Sequence, residues 1–485
     1  MNQSAPLVLF RWLACMAIAF CLPTGDASAQ VADKSFEQAA RAAIRRASAF
    51  YSQKAALHGG YVYYYSPDLQ KRLGEGPALP TQVWVQPPGT PTVGLAFLAA
   101  YDATGDRDCL LAGRDAARVL VYGQFRNGGW TNAIDTLALQ QGYRYAGGKQ
   151  RRDGNASLDD GQTQSALMLL MQADKALKFQ DDAIHRAARG GLDALLAAQF
   201  PSGAFPQVWK GPTAKPPAVR ANYPTHDWRT EGRIKNYWDM ATLNDNVCGY
   251  VAETLMMADQ VYGDAKYRES LKRLGEFLLL AQMPAPQPAW CQQYNHQMQP
   301  IWARKFEPPA IAADESQEVI ATLMKISRAT GNAKYLQPIP AAIEYLRASR
   351  LPDGQLARYY QLQTNEPLYM GRRGKKYFLT NSDADLPKHY GWKWPSRLDA
   401  LEAEYESLKK SLGKPVPRDE PASVSAAEVA RIIEQLDEQG RWISIYAGEP
   451  LVGQPKFTIG EPYLSSAVFS ENLTKLSIYI AAHSP

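Results

Sequence analysis

Cysteine and histidine are scarce in this sequence, strong net charge is missing, and no long apolar run follows the N-terminus. Each absence removes a class of function. Of 485 residues, 5 are cysteine and 6 histidine. Cys15 and Cys21 fall in an N-terminal leader, which leaves Cys109, Cys248 and Cys291. Three widely spaced thiols make no disulfide framework, and buried inert thiols are their plain reading. No Cys-x-x-Cys or histidine pair has the spacing of zinc ligands, and no Gly-x-Ser-x-Gly supports a serine hydrolase. A net charge of +5 supplies no basic field for nucleic acid. No segment after the leader is long and apolar enough to span a bilayer.

What is present begins with that leader. Arg11, the apolar stretch Trp12 to Leu22 and the small residues Ala27-Ser28-Ala29 before Gln30 predict a signal peptide over 1–29 and a secreted or periplasmic protein. Helical periodicity dominates the rest: Phe36 to Tyr51, Thr92 to Thr104, Asp108 to Tyr122, Gly161 to Phe179, Asp182 to Gln199, Asp245 to Tyr262, Ala265 to Gln282, Asp314 to Thr330 and Ala333 to Ser349. Joins such as Gly105-Asp106, Gly263-Asp264 and Gly331-Asn332 pair a helix-ending glycine with a helix-opening acid or amide. A helical hairpin followed by a tight turn, as at Asn127-Gly-Gly-Trp130 and Ser202-Gly-Ala-Phe-Pro-Gln207, recurs about four times. The expected fold is all-α: an α/α toroid, or incomplete α/α barrel, over 30–412, with irregular cleft loops at one end. Residues 212–236 read as a basic, proline-rich insertion. Residues 413–485 read as a linker and a helical extension packed on the toroid.

The chemistry gathers in three places. Asp159-Asp160 and Asn244-Asp245-Asn246 each open a predicted helix, where helix capping is the bland reading. Neighbouring repeats would bring both to one end of the toroid, and clustered carboxylates and carbonyls suit a hard cation, Ca²⁺. The segment from Trp290 to Glu307 mixes rings, amides, Arg304, Lys305 and a carboxylate. Rings stack on pyranose faces, amides bond hydroxyls and guanidinium meets carboxylate, which points to an acidic sugar. Arg358, Arg372 and Arg373 are further basic candidates, with a solvated or salt-bridged face as the alternative.

Taken in order, Asp159-Asp-Gly-Gln-Thr163, Ala198-Gln-Phe-Pro-Ser-Gly-Ala-Phe-Pro-Gln207, Thr242-Leu-Asn-Asp-Asn246, Trp290-Cys-Gln-Gln-Tyr294, Trp302-Ala-Arg-Lys-Phe-Glu-Pro-Pro309, Ala357-Arg-Tyr-Tyr360 and Gly371-Arg372 resemble the family 10 polysaccharide lyases, the α/α-toroid pectate lyases. The resemblance runs roughly from Phe36 to Leu412. It implies Ca²⁺-assisted anti β-elimination on polygalacturonate, with Arg304 as the base. It implies Asp159 and Asp245 at the metal, and Arg372, Asp160, Asn244, Trp290, Gln293, Tyr294 and Arg358 on the substrate. The chain departs from the family pattern at Asp160, where Asn is usual, at Asn246, where Asp is usual, and at Phe205, where Trp is usual. The last keeps an expected aromatic surface. A monomer is expected. Two other readings stay open: a uronate-binding protein without turnover, and a glycoside hydrolase using Asp245 and Glu307.

Overall fold

A computed structural model describes residues 27–138, 143–144, 150–151, 154–211, 219–388, 390–412 and 423–483. The leader up to residue 26, part of the insertion (212–218) and the start of the linker (413–422) lie outside the described residues.

The helices are α1 (Ala27–Phe50), α2 (Thr90–Thr104), α3 (Arg107–Gly123), α4 (Gln162–Ala176), α5 (Asp182–Ala198), α6 (Trp228–Glu231), α7 (Val247–Tyr262), α8 (Ala265–Ala281), α9 (Ala313–Thr330), α10 (Ile339–Ala348), α11 (Leu398–Ser411), α12 (Ala426–Glu434) and α13 (Ser466–His483). The joins follow their residues. Gly105 takes φ 73° and its N–H bonds the Tyr101 carbonyl at 2.7 Å, after which Asp106 accepts the Asp108 N–H at 2.9 Å. Gly263 with Asp264 and Gly331 with Asn332 repeat this hand-over. A left-handed residue without Cβ ends one helix and an oxygen acceptor starts the next.

Two layers result. Helices α2, α4, α7, α9 and α11 pack one against the next as the inner layer, with α13 beside α2. Helices α2, α4, α7 and α9 bury most of their residues, and in α4 every residue from Gln162 to Met171 is buried. The outer helices α3, α5 and α8 bury one face only. The architecture is thus an incomplete α/α toroid of helical hairpins. Helix α11, absent from the sequence-based expectation, extends it by burying Leu398, Leu401, Tyr405 and Leu408 at helical spacing. The C-terminal stretch is woven in: strand Pro462–Ser465 pairs with Tyr64–Tyr65, and α13 packs on both α1 and α2.

Short antiparallel ladders mark one end of the toroid. Ala156–Ser157 pairs with Val208–Trp209 before α4, Ala241–Thr242 with Gln293–Tyr294 before α7, and Ile311–Ala312 with Tyr359–Tyr360 before α9. Each ladder fixes the N-terminal entry of an inner helix. A longer hairpin, Pro367–Arg373 with Lys376–Thr380, carries the basic cluster at its turn. Cys109, Cys248 and Cys291 are buried free thiols. Among the described residues no helix is long and apolar enough to cross a membrane.

Candidate active site

Both acidic clusters sit in 3-10 turns that precede inner helices. Asp160 (φ 48°, ψ 29°) and Gly161 (φ 70°) are left-handed, as are Asp245 (φ 51°, ψ 38°) and Asn246 (φ 54°). Left-handed backbone at a non-glycine residue costs on the order of 1–3 kcal/mol, least for Asp and Asn. The strain has a consequence for the carboxylates. Gly161 and Asn246 cap α4 and α7 without a side-chain hydrogen bond. The capping alternative therefore fails, and Asp159, Asp160 and Asp245 are left for other partners.

Their partner is Arg304. Its Nη2 donates to Asp159 Oδ1 at 3.1 Å and to Asp245 Oδ2 at 3.0 Å. One guanidinium nitrogen thus bridges two repeats whose acids lie 86 positions apart by number, 159 and 245. The amide of Gln207 donates to Asp159 Oδ1 at 2.8 Å, which gives the Phe205-Pro206-Gln207 turn its place in the site. Asp160 turns the other way, accepting from Gln86 Nε2 at 3.0 Å, and the same nitrogen reaches Glu75. Asn244 donates to Asp245 Oδ2.

Charge in the cluster is unbalanced. Burial and the neighbouring Asp245 push Asp159 up to about 7, against the pull of Arg304 and Gln207. Asp160 stands well above the usual carboxylate range, raised by crowding and by Asp245 and Asp159. Its side chain is nonetheless open to solvent, so water screens part of this effect. Burial would raise Asp245 as well, but Arg304 brings it below its ordinary value. Burial alone would lower Arg304, yet Glu307, Asp159 and Asp245 hold it well above its ordinary value. Its guanidinium is firmly protonated in this arrangement.

Behind Arg304 lies a buried polar network. Glu307 accepts the Arg304 backbone N–H and the Tyr390 hydroxyl, each at 2.9 Å. Tyr390 meets Tyr359 at 3.1 Å, Tyr359 donates to Gln292 at 2.8 Å, and Gln292 donates to Asn244 and Glu315. Arg358 closes the chain on Glu315 at 3.0 Å with its guanidinium 4.3 Å from the Tyr390 ring. Gln86 and Tyr390 escaped the sequence reading because isolated amides and phenols carry no spacing signal, while Gln207 and Gln292 lay inside quoted motifs without being singled out.

Several expected substrate contacts are corrected by burial. Trp290 is fully buried, its indole N–H bonds the Leu278 carbonyl, and its backbone N–H bonds Ser316 Oγ. Trp130 makes the same pair of bonds to Leu120 and Thr163, so both are structural tryptophans of the repeat. Tyr294 is buried with its hydroxyl on the Ala281 carbonyl. Gln293 is buried and donates to Thr242 Oγ1 at 2.8 Å. Arg358 is buried against Glu315. Phe205 is fully buried and offers no aromatic surface. No sugar ring can reach these side chains as they stand. Arg372 lies apart from the Arg304 cluster, exposed on the hairpin, with its guanidinium 5.5 Å from the Tyr377 ring. Tyr377 in turn packs on Phe306 at 5.6 Å, which ties the hairpin to the Arg304 loop.

Asp159, Asp160 and Asp245 carry the type of donor that a hard cation takes, though not the grouping. All the donors are oxygens, and four acidic side chains (these three and Glu307) act on one guanidinium. Among the described residues no three acidic, histidine or cysteine side chains stand grouped at metal-ligand spacing. In this arrangement Arg304 occupies the space between Asp159 and Asp245.

Residues 124–357 match the pectic acid lyase family. Among solved structures, the family 10 polysaccharide lyase from Cellvibrio cellulosa is 21% identical, covering 65% of this chain and 95% of its own, with a TM-score of 0.44. A mutant of that lyase in complex with trigalaturonic acid gives 20%, 61%, 92% and 0.44 for the same quantities. Cellobiose 2-epimerase from Spirochaeta thermophila is 15% identical over 93% of this chain and 99% of its own, with a TM-score of 0.46. No curated protein matches the sequence. The matched segment holds Asp159, Asp245, Arg304 and Glu307, the residues that meet at the open end of the toroid. The match over residues 124–357 therefore supports assignment to the pectic acid lyase family and, with it, to the polysaccharide lyases.

Proposed function

We propose that this protein is a secreted pectate lyase that cleaves polygalacturonate by Ca²⁺-assisted anti β-elimination and releases 4,5-unsaturated oligogalacturonides. The observation that carries the reading is Arg304, bridging Asp159 and Asp245 inside the segment matched to the pectic acid lyases.

In the proposed reaction Arg304 takes the proton from C5 of a uronate ring. The electron pair forms the C4–C5 double bond, the C4–O bond breaks, and the leaving oxygen gains a proton from solvent. A free guanidinium holds its proton far above neutral pH. Here Glu307, Asp159 and Asp245 strengthen that hold. Arg304 can act as a base only once Asp159 and Asp245 are drawn off it and positive charge gathers nearby. Asp159 and Asp245, with Asp160 beside them, are the residues that would hold a divalent cation. When bound, that ion supplies Lewis-acid stabilisation to the uronate carboxylate. Arg372, exposed on the hairpin with its Nε on the Gly374 carbonyl, would meet a second carboxylate outside the cluster.

The hydrolase alternative loses one of its carboxylates. Glu307 is 2% exposed and committed to Tyr390 and to Arg304. It cannot reach a glycosidic oxygen. The test is direct. Purified protein incubated with polygalacturonate and calcium should generate the ultraviolet absorbance of an unsaturated uronide, lost on chelation. Reducing ends without absorbance would replace lyase by hydrolase, and retention of polymer without either product would indicate a binding protein.

A further inference from the structure

The described part of the insertion, 219–236, and the turn that follows it are held in place by hydrogen bonds. The backbone N–H of Ile234 donates to the Trp302 carbonyl at 2.9 Å, two residues before Arg304. Gln293 donates to the Tyr237 carbonyl at 3.4 Å. The turn Tyr237–Asp239 packs on strand Val208–Trp209. That strand follows Gln207, whose amide holds Asp159. The insertion is thus pinned to both sides of the Arg304 cluster.

The insertion and the residues that flank it also present basic side chains on aromatic rings. Lys210 Nζ lies 5.3 Å from the Trp238 ring centroid, and the Arg233 guanidinium lies 4.9 Å from that of Tyr237. Lys210 and Arg233 are exposed, and Trp238 and Tyr237 are half-buried. Within about 6 Å an ammonium is held by the ring quadrupole while its charge stays accessible. An indole edge in water beside a held cation offers the two things a uronate ring presents a need for: an apolar surface for its carbon face and a cation for its carboxylate. Lys210 lies three positions after Gln207, so at about 3.3 Å per extended residue its backbone stands up to about 10 Å from that of Gln207, the residue that holds Asp159. That reach exceeds one sugar ring.

We propose that Lys210 and Trp238 form a uronate subsite distal to the scissile bond, on the wall built by the insertion. This deepens the lyase reading and rests on it for the direction of the chain. The subsite grips a ring that a short substrate does not extend to, so its contribution appears with polymer.

The test compares K210Q and W238F with the parent protein on polygalacturonate and on trigalacturonate, with near-ultraviolet circular dichroism to verify folding. An exposed charge contact worth ~1 kcal/mol corresponds to about a fivefold rise in KM. That rise is expected for K210Q on the polymer, with a smaller change or none on the trimer. An unchanged polymer KM, or an equal loss on both substrates, overturns the proposal. Mobility in gels containing polygalacturonate gives a second readout that needs no turnover. K210Q should be retarded less than the parent, and both should run alike in gels containing fully methyl-esterified pectin. If the parent forms no unsaturated product, the lyase reading fails while the gel comparison still decides the subsite.

Discussion

Glu307 accepts the backbone N–H of Arg304 through Oε2 at 2.9 Å, and the same oxygen lies 3.6 Å from the Arg304 Nε. One buried carboxylate therefore holds both the main chain and the side chain of the residue that bridges Asp159 and Asp245. Tyr390 fixes its other oxygen.

Glu307→Ala should reduce kcat by about 100-fold or more, because a misplaced catalytic group forfeits effective concentration. It should also lower stability by about 1–3 kcal/mol, less than a fully buried pair would, since Arg304 is 28% exposed. Glu307→Gln keeps one acceptor oxygen and should lose less of both. Steady-state kinetics and urea unfolding check the order, and an alanine variant with full kcat would remove Glu307 from the positioning role.

Arg304→Ala should abolish formation of unsaturated product while leaving the circular dichroism spectrum intact. Arg304→Lys should retain binding to polygalacturonate and lose turnover, because an ammonium cannot do what the planar fork does, holding Nη2 on both Asp159 and Asp245 while Nε stays beside Glu307. Ultraviolet absorbance and gel retardation separate the two effects. Full turnover in the lysine variant would discard the fork.

Calcium should raise the Tm of the folded protein through binding to the native state alone. Asp159→Asn and Asp245→Asn should each weaken that shift. Thermal unfolding with calcium and with a chelator measures this without any substrate. An equal Tm in both conditions would count against a cation at these residues.

Glu315 predicts a pH effect on stability. Burial raises it to about 7, against the pull of Arg358, and its Oε2 has no partner. The folded chain then holds a proton that the unfolded chain releases near pH ~4.3. Stability from this group is therefore full below about 4 and declines as pH rises to about 7. Urea unfolding across that window should show the decline in the parent and a flatter profile in Glu315→Gln. A parent whose stability rises over the same window on account of this residue would contradict the burial argument.

Trp290→Ala should cost about 3–5 kcal/mol, the range for emptying a fully buried aromatic site. Trp290→Phe should fold with a smaller loss and keep the parent KM, since the ring is fully buried with its indole N–H on the Leu278 carbonyl. A large rise in KM with unchanged stability would return Trp290 to the binding surface.

The periodic elements were readable from residues alone. Gly105-Asp106, Gly263-Asp264 and Gly331-Asn332 each behave as a stop and a start, because left-handed backbone and capping oxygens are local properties. Helix α11 and the hairpin at Pro367–Thr380 were missed. The first carries its apolar residues in a strongly charged setting, and the second depends on pairing across its turn.

The site divides along the same line. Sequence by itself marked Asp159, Asp160, Asp245 and Arg304, since motif order and residue chemistry suffice to single them out. Whether a ring faces sugar or core was not legible, because Trp290, Tyr294 and Phe205 have the same chemistry in either place. Tertiary packing decided it by surrounding them on all sides. Packing alone also set the charge state of the cluster, for the field on Arg304 comes from acids in three separate segments that only the closed arc of inner helices brings together.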